Sequence, residues 1–232
     1  TFTDSGGVVI AADYNGSSGG TWRTIEGLFD VAPSGSNNVT GSTLTIADPT
    51  SPLVIDVDVS TYTAPNGSLS FSGEPSGNAV VTTADGTPVV IHLDLGDGSS
   101  GSGSGGHVVL IGHDYFANED TADQILANAV LLAETDTINI TAYVEAADID
   151  GEYANMLSAI DTSLSSIGVS YAVTEVYDEV GIDLSSTDVL LIPEQESASE
   201  DALIAVGAAW NDQLSTFTDS GGVVIAADYN GS

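Results

Sequence analysis

The sequence predicts an α/β protein, with a three-layer, doubly wound parallel sheet and an antiparallel β region appended to it. Three observations carry that reading. Short apolar runs at 107–112, 189–192 and 223–227 have the composition of strands buried on both faces. Amphipathic stretches of helical period alternate with them. Residues 33–95 differ: they are rich in Ser, Thr, Gly and Pro, with short β-branched runs.

From His107 the elements follow in order. A first strand spans 107–112. Ala122, Ile125, Leu126, Ala129, Val130 and Ala133 then recur at helical spacing. Residues 137–144 alternate and are β-branched, as a second strand. Tyr153, Met156, Leu157, Ile160, Leu164 and Ile167 mark a second helix, stopped by Gly168. Strands are expected at 169–177 and 189–192. Ser197 and Glu200 have capping-box spacing before a long helix through Ala202, Val206, Ala209, Trp210 and Leu214. Gly221-Gly222 ends it, and 223–227 is a fifth apolar strand. Toward the start of the chain, 21–29 reads as a short helix carrying Trp22, Ile25, Leu28 and Phe29. Short strands are expected at 44–46, 54–57, 69–71, 79–82 and 89–93, with Asp85-Gly86 as a hairpin turn between the last two.

The chain repeats itself. Residues 1–17 and 216–232 both read TFTDSGGVVIAADYNGS, an offset of 216 − 1 = 215 residues. The repeated piece contains an apolar strand, Val8-Val9-Ile10 and again Val223-Val224-Ile225, so each copy is core material. Residues 96–106, GDGSSGSGSGG, have no apolar side chain to bury and read as a linker. The division that follows is 1–95 as the later part of one repeat, 96–106 as linker, and 107–232 as the α/β part of the next. Three arrangements fit: a window from a tandem array, a circular permutant with a duplicated strand, and a chain that exchanges its duplicated strand with neighbours. In each, the natural partner is a copy of the chain itself, joined through the two apolar strands.

Charge narrows the class. There are 34 acidic residues against one basic residue, Arg23, and a formal net charge of −33. Such a surface repels nucleic acid and anionic membranes, and no apolar run is long enough for membrane insertion. It suits an extracellular or cell-surface setting in which salt or divalent cations screen self-repulsion. Cys is absent, which removes disulfides, thiolate metal sites and Cys nucleophiles.

The segments HVVLIGHDY, DVLLIPEQES and LSTFTDSGGVVIAAD resemble flavodoxin-like domains related to class I glutamine amidotransferases. The resemblance covers roughly 107–232 and continues into 18–32. It implies a flavodoxin-like fold and, in the family, a nucleophile elbow after the Gly-Gly strand. Here that strand runs into Ala11-Ala12-Asp13-Tyr14-Asn15-Gly16, with no Cys or Ser at the elbow, so amidotransferase chemistry is not expected.

Two candidate sites remain. Ligands of open α/β sheets bind at the carboxyl ends of the strands. Those ends carry His113 and Asp114, Glu194 and Glu196, and Asp13 with its duplicate Asp228, a set suited to metal binding or acid–base work. Separately, Asp148, Asp150 and Glu152, around Gly151, place hard oxygen donors at alternate positions as calcium requires. Asn38 and Asn66 head glycosylation triplets in loops. The function expected is a non-catalytic structural repeat of an extracellular filament, surface layer or adhesin stalk. A hydrolase-like or pseudoenzyme domain and a calcium-dependent or sugar-binding module are the alternatives.

Overall fold

The computed structural model describes residues 20–58, 62–95, 106–177 and 182–227. Ten strands are found among them: β1 (Gly35–Asn38), β2 (Leu44–Ile46), β3 (Leu69–Ser72), β4 (Asn78–Thr83), β5 (Pro88–Asp94), β6 (His107–Ile111), β7 (Thr137–Tyr143), β8 (Ser170–Val176), β9 (Val189–Ile192) and β10 (Val223–Ala227). Three α-helices accompany them: α1 (Asp120–Leu131), α2 (Glu152–Ile167) and α3 (Glu200–Asp219). Two 3₁₀ helices span Thr21–Leu28 and Pro52–Val54.

Eight strands form one sheet in the order β2-β4-β5-β6-β10-β9-β7-β8. From β6 to β8 every pairing is parallel. From β2 to β6 every pairing is antiparallel. The sheet is thus a mixed one, mostly parallel in its α/β part, with the expected antiparallel region joined edgewise to it. The join is the β5–β6 pair, where Asp94 faces His107 and the Leu95 N–H donates to the Gly106 carbonyl at 2.7 Å. Residues on either side of the Gly/Ser segment therefore share one sheet.

Burial explains why the central strands form. All five residues of β10 are buried, as are all four of β9 and all but the first of β6. Each Val, Leu or Ile removed from water contributes about 1.5–3 kcal/mol. A parallel strand covered on both faces collects that gain at every position, which is why these runs carry no polar residue beyond His107, the half-buried first residue of β6. α1 packs against α2, and α3 packs along the first 3₁₀ helix. At that second contact Gly207 is required. A Cβ there would lie 2.5 Å from the Arg23 carbonyl oxygen, so only glycine lets the two backbones approach.

Among the parallel strands the chain order across the sheet, read from the β8 edge, is third, second, fourth, fifth, first. The flavodoxin order is 2-1-3-4-5. The two coincide only when β6 is counted last. β7 and β9 are neighbours, and the chain leaves them in opposite directions along the sheet, toward β8 and toward β10. Their carboxyl ends make a topological switch point, the usual place for a ligand in such sheets.

Several expectations need correcting. Residues 54–57 are not a strand. Ser51 Oγ accepts from the Leu53 N–H, Pro52 starts a 3₁₀ turn, and Asp56 has a φ of 59°. β1, a wholly polar run, was not expected; it pairs with β3 in a separate two-stranded sheet. The residue that caps α3 is Ser199, whose side chain accepts from the Ala202 N–H, whereas Ser197 Oγ donates to the Ala146 carbonyl. Residues 1–19, and with them Val8, Val9, Ile10 and Asp13, lie outside the described residues, as does Asp228. Val223, Val224 and Ile225 occupy the centre of the sheet, paired to β6 on one side and β9 on the other.

Candidate metal centre

β6 ends at Ile111, and the chain then passes through Gly112, whose N–H donates to the Val89 carbonyl at 2.8 Å and whose carbonyl accepts from the Leu69 N–H at 2.7 Å. This double anchoring sets the position of His113 and Asp114, both fully or almost fully buried. Asp114 Oδ1 accepts from the Phe116 N–H at 2.6 Å. The loop is then held to α2, because Asn155 Nδ2 donates to the carbonyls of Tyr115 and Phe116 at 2.8 and 2.9 Å.

Glu152 is the first residue of α2 and is buried, with 3% of its surface exposed. Glu194 follows β9 by two residues and is equally buried. Gln195 fixes this turn. Its Nε2 donates to the carbonyls of Tyr143 and Pro193, and its Oε1 accepts from the Ala146 N–H. The carboxyl ends of β7 and β9 are thereby tied together.

These elements bring Asp114, Glu152 and Glu194 together. One carboxylate oxygen from each lies within 4.8 Å of the other two, so the triad could hold a metal ion. No other such group of His and acidic residues occurs among the described residues. His113 lies beside it. Its Nε2 is hydrogen-bonded to Tyr62 Oη, and the two rings meet edge to face at 5.7 Å. A narrow void is lined by His113, Tyr115, Glu152, Met156, Glu194 and Ala227. His113 Nδ1 and Asp114 Oδ2, both buried, have no hydrogen-bond partner.

Electrostatics agree with the crowding. Burial, and then the Glu152 carboxylate beside it, push the Asp114 carboxyl up to about 8. Glu196 is raised less, by partial burial first and then by Glu152 and Asp148. Burial holds His113 down at about 3, so the imidazole is neutral. The chain has no Lys, and its one Arg is used elsewhere. Arg23 lies over the Trp22 ring at 3.9 Å and pairs with Glu26 at 3.1 Å and Glu200 at 2.9 Å. No basic side chain of the protein can therefore compensate the three acids.

The two sets of residues expected from sequence merge and divide. Asp114 and Glu194 of the strand-end set meet Glu152 of the proposed calcium loop. Asp148 and Asp150 stay exposed and do not join them, and Glu196 is exposed beside the centre. His107 sits at the opposite end of β6, with its Nδ1 3.1 Å from His92 Nε2 and 3.5 Å from Asp94. Asn38 and Asn66 are exposed, and Asn38 Oδ1 accepts from the Thr40 N–H in a local turn. Tyr62, Gln195 and Tyr115 had no sequence signal, since each acts through a contact distant along the chain. Comparison with protein-family models, with curated proteins and with solved structures found no match.

Proposed function

We propose that this chain is a structural repeat unit of an acidic extracellular assembly, a filament, surface layer or adhesin stalk that joins copies of itself end to end. One observation carries the reading. β10, taken from the second copy of the duplicated segment, fills the middle of the sheet, and the 3₁₀ helix Thr21–Leu28, which follows the first copy, packs on α3 and β10. The element that follows either copy would therefore find the same surroundings. This is the expectation for a periodic protein in which each domain is completed by the sequence after a repeat boundary.

The wider architecture is read as three-layered and flavodoxin-like. Right-handed crossovers would place the α1–α2 pair and α3 on opposite faces of the sheet. The reading is non-catalytic. The acids and the imidazole of the centre are buried, and the void beside them is too narrow for an organic substrate. Calcium is the ion proposed for the surface, where a net charge of −33 must be screened or bridged before copies can approach.

The test is electron microscopy of the native material, together with light scattering of the chain with calcium and with chelator at fixed ionic strength. Strings of regularly spaced domains, and a calcium-dependent rise in mass, are the expected results. Isolated particles of one domain under both conditions would remove the proposal.

A further inference from the structure

We propose that the acid triad Asp114, Glu152 and Glu194, completed by His113 from the adjoining void, binds a small divalent cation of the manganese or zinc kind in preference to calcium. The inference goes beyond the assembly role and does not depend on it.

The acid triad alone would not suffice, since acidic chains bring carboxylates together often. The second observation is His113. It is wholly buried and lines the same void as Glu152 and Glu194, and its Nδ1 has no partner. A buried ring nitrogen without a partner is costly to leave so, and this one is held by a hydrogen bond at the opposite nitrogen. That is the arrangement metal-ligating histidines use. The far nitrogen is hydrogen-bonded to Tyr62 Oη, and the tautomer in which it donates its N–H there leaves the Nδ1 lone pair for the ion.

Ion choice follows from the donors and the space. Calcium takes six to eight oxygen ligands at 2.3–2.6 Å in a roomy shell, several of them commonly water. This centre offers three carboxylates grouped within 4.8 Å, two of which share a narrow void with one imidazole, and the Gln195 amide is already held by three hydrogen bonds. Few ligands with a nitrogen among them favour the first-row divalent ions. Placement supports the site as well. Asp114, Glu152 and Glu194 follow β6, β7 and β9, so an ion would bind three crossover connections together at the switch point.

The experiment uses the whole chain, stripped with chelator and titrated separately with manganese, zinc, magnesium and calcium. Manganese and zinc should bind at one ion per chain and raise the unfolding midpoint well above any shift from calcium. Pulsed electron paramagnetic resonance of the manganese form should show coupling to a nitrogen, absent in His113→Gln. Glu152→Gln with Glu194→Gln should weaken manganese at least about 100-fold. Asp114→Asn is a second, milder variant, and Asp148→Asn with Asp150→Asn should leave binding unchanged. The proposal is overturned by calcium raising the midpoint as far as manganese, by a manganese spectrum without nitrogen coupling, or by undiminished binding in the Gln variants.

Discussion

Asp114, three residues past the end of β6, and Glu152, the first residue of α2, hold their carboxylates side by side in the interior, 38 residues apart in sequence and with no basic side chain between them. This contact decides how the metal-free protein responds to pH. Asp114 titrates near 8 in the folded chain against an ordinary value of 3.8. The folded state thus holds a proton that the unfolded chain has released. The stability it contributes is complete below about pH 4 and is lost as pH rises through 8. The groups facing it from α2 and from the turn after β9 are Glu152, Glu194 and Glu196.

His113 and His92 act in the opposite sense. Burial lowers them to about 3 and about 4, so their contribution is lost as pH falls through 6.5 and is complete only above about pH 7.5. Asp123, raised to about 6 by burial, has largely finished titrating by neutrality. Between pH 6.5 and 8 the Asp114 effect is the largest, offset in part by the histidines. Unfolding free energy of the metal-free chain, measured by denaturant, should fall by about 1 kcal/mol across that window. Asp114→Asn should flatten the curve, and a rise with pH in the unmodified chain would contradict the argument.

Tyr62→Phe isolates the bond from the β-rich region to the centre. The ring stays and only the hydroxyl is lost, leaving His113 Nε2 buried without its partner. A loss of about 1–2 kcal/mol is expected by thermal or denaturant unfolding. If the midpoint is unchanged, Tyr62 does not hold His113 in place.

The elements of the α/β half were legible because each follows from one local cause. β6, β9 and β10 are apolar at nearly every position, and α2 stops at Gly168, which takes a φ of 76°. The polar strand β1 had no such signature, and Pro52 together with Asp56 turned an apolar run into a 3₁₀ turn. At the site, Asp114, Glu194 and Glu152 were all visible as candidates. Their grouping was not, because it depends on β6, β7 and β9 being brought together by crossovers. Sequence spacing favoured Asp148 and Asp150 as companions of Glu152, yet the helix start turns Glu152 inward and leaves those two in solvent.

Gly112 tests how tightly the strand end is built. A Cβ there would sit 2.3 Å from the Leu69 carbonyl oxygen and 3.1 Å from that of Val89. Both are backbone atoms: the Val89 oxygen accepts from the Gly112 N–H, and the Leu69 residue is tied through its own N–H to the Gly112 carbonyl, so neither can move cheaply. Gly112→Ala should cost about 3 kcal/mol. It should also weaken metal uptake, because His113 and Asp114 follow directly. A variant with unchanged stability would show that the antiparallel region does not hold the end of β6.

The duplicated strand gives the most discriminating experiment. The sheet has one place between β6 and β9, and both flanks of β10 are used there. The chain carries two identical sequences able to fill it, at 6–12 and 221–227. Ile225 is wholly buried in that place, and an aspartate in its position would leave an unpaired charge among apolar side chains. With no replacement strand available, a loss of more than about 4 kcal/mol would follow. The first copy is such a replacement, and it leads directly into the 3₁₀ helix Thr21–Leu28 beside the same place. Ile225→Asp should therefore remain folded, in cis or by exchange with another copy of the chain, and light scattering separates the two. Ile10→Asp should leave the midpoint unchanged. The double variant should not fold. If Ile225→Asp alone unfolds the chain as completely as the pair, the two copies are not interchangeable, and the periodic assembly loses the observation on which it rests.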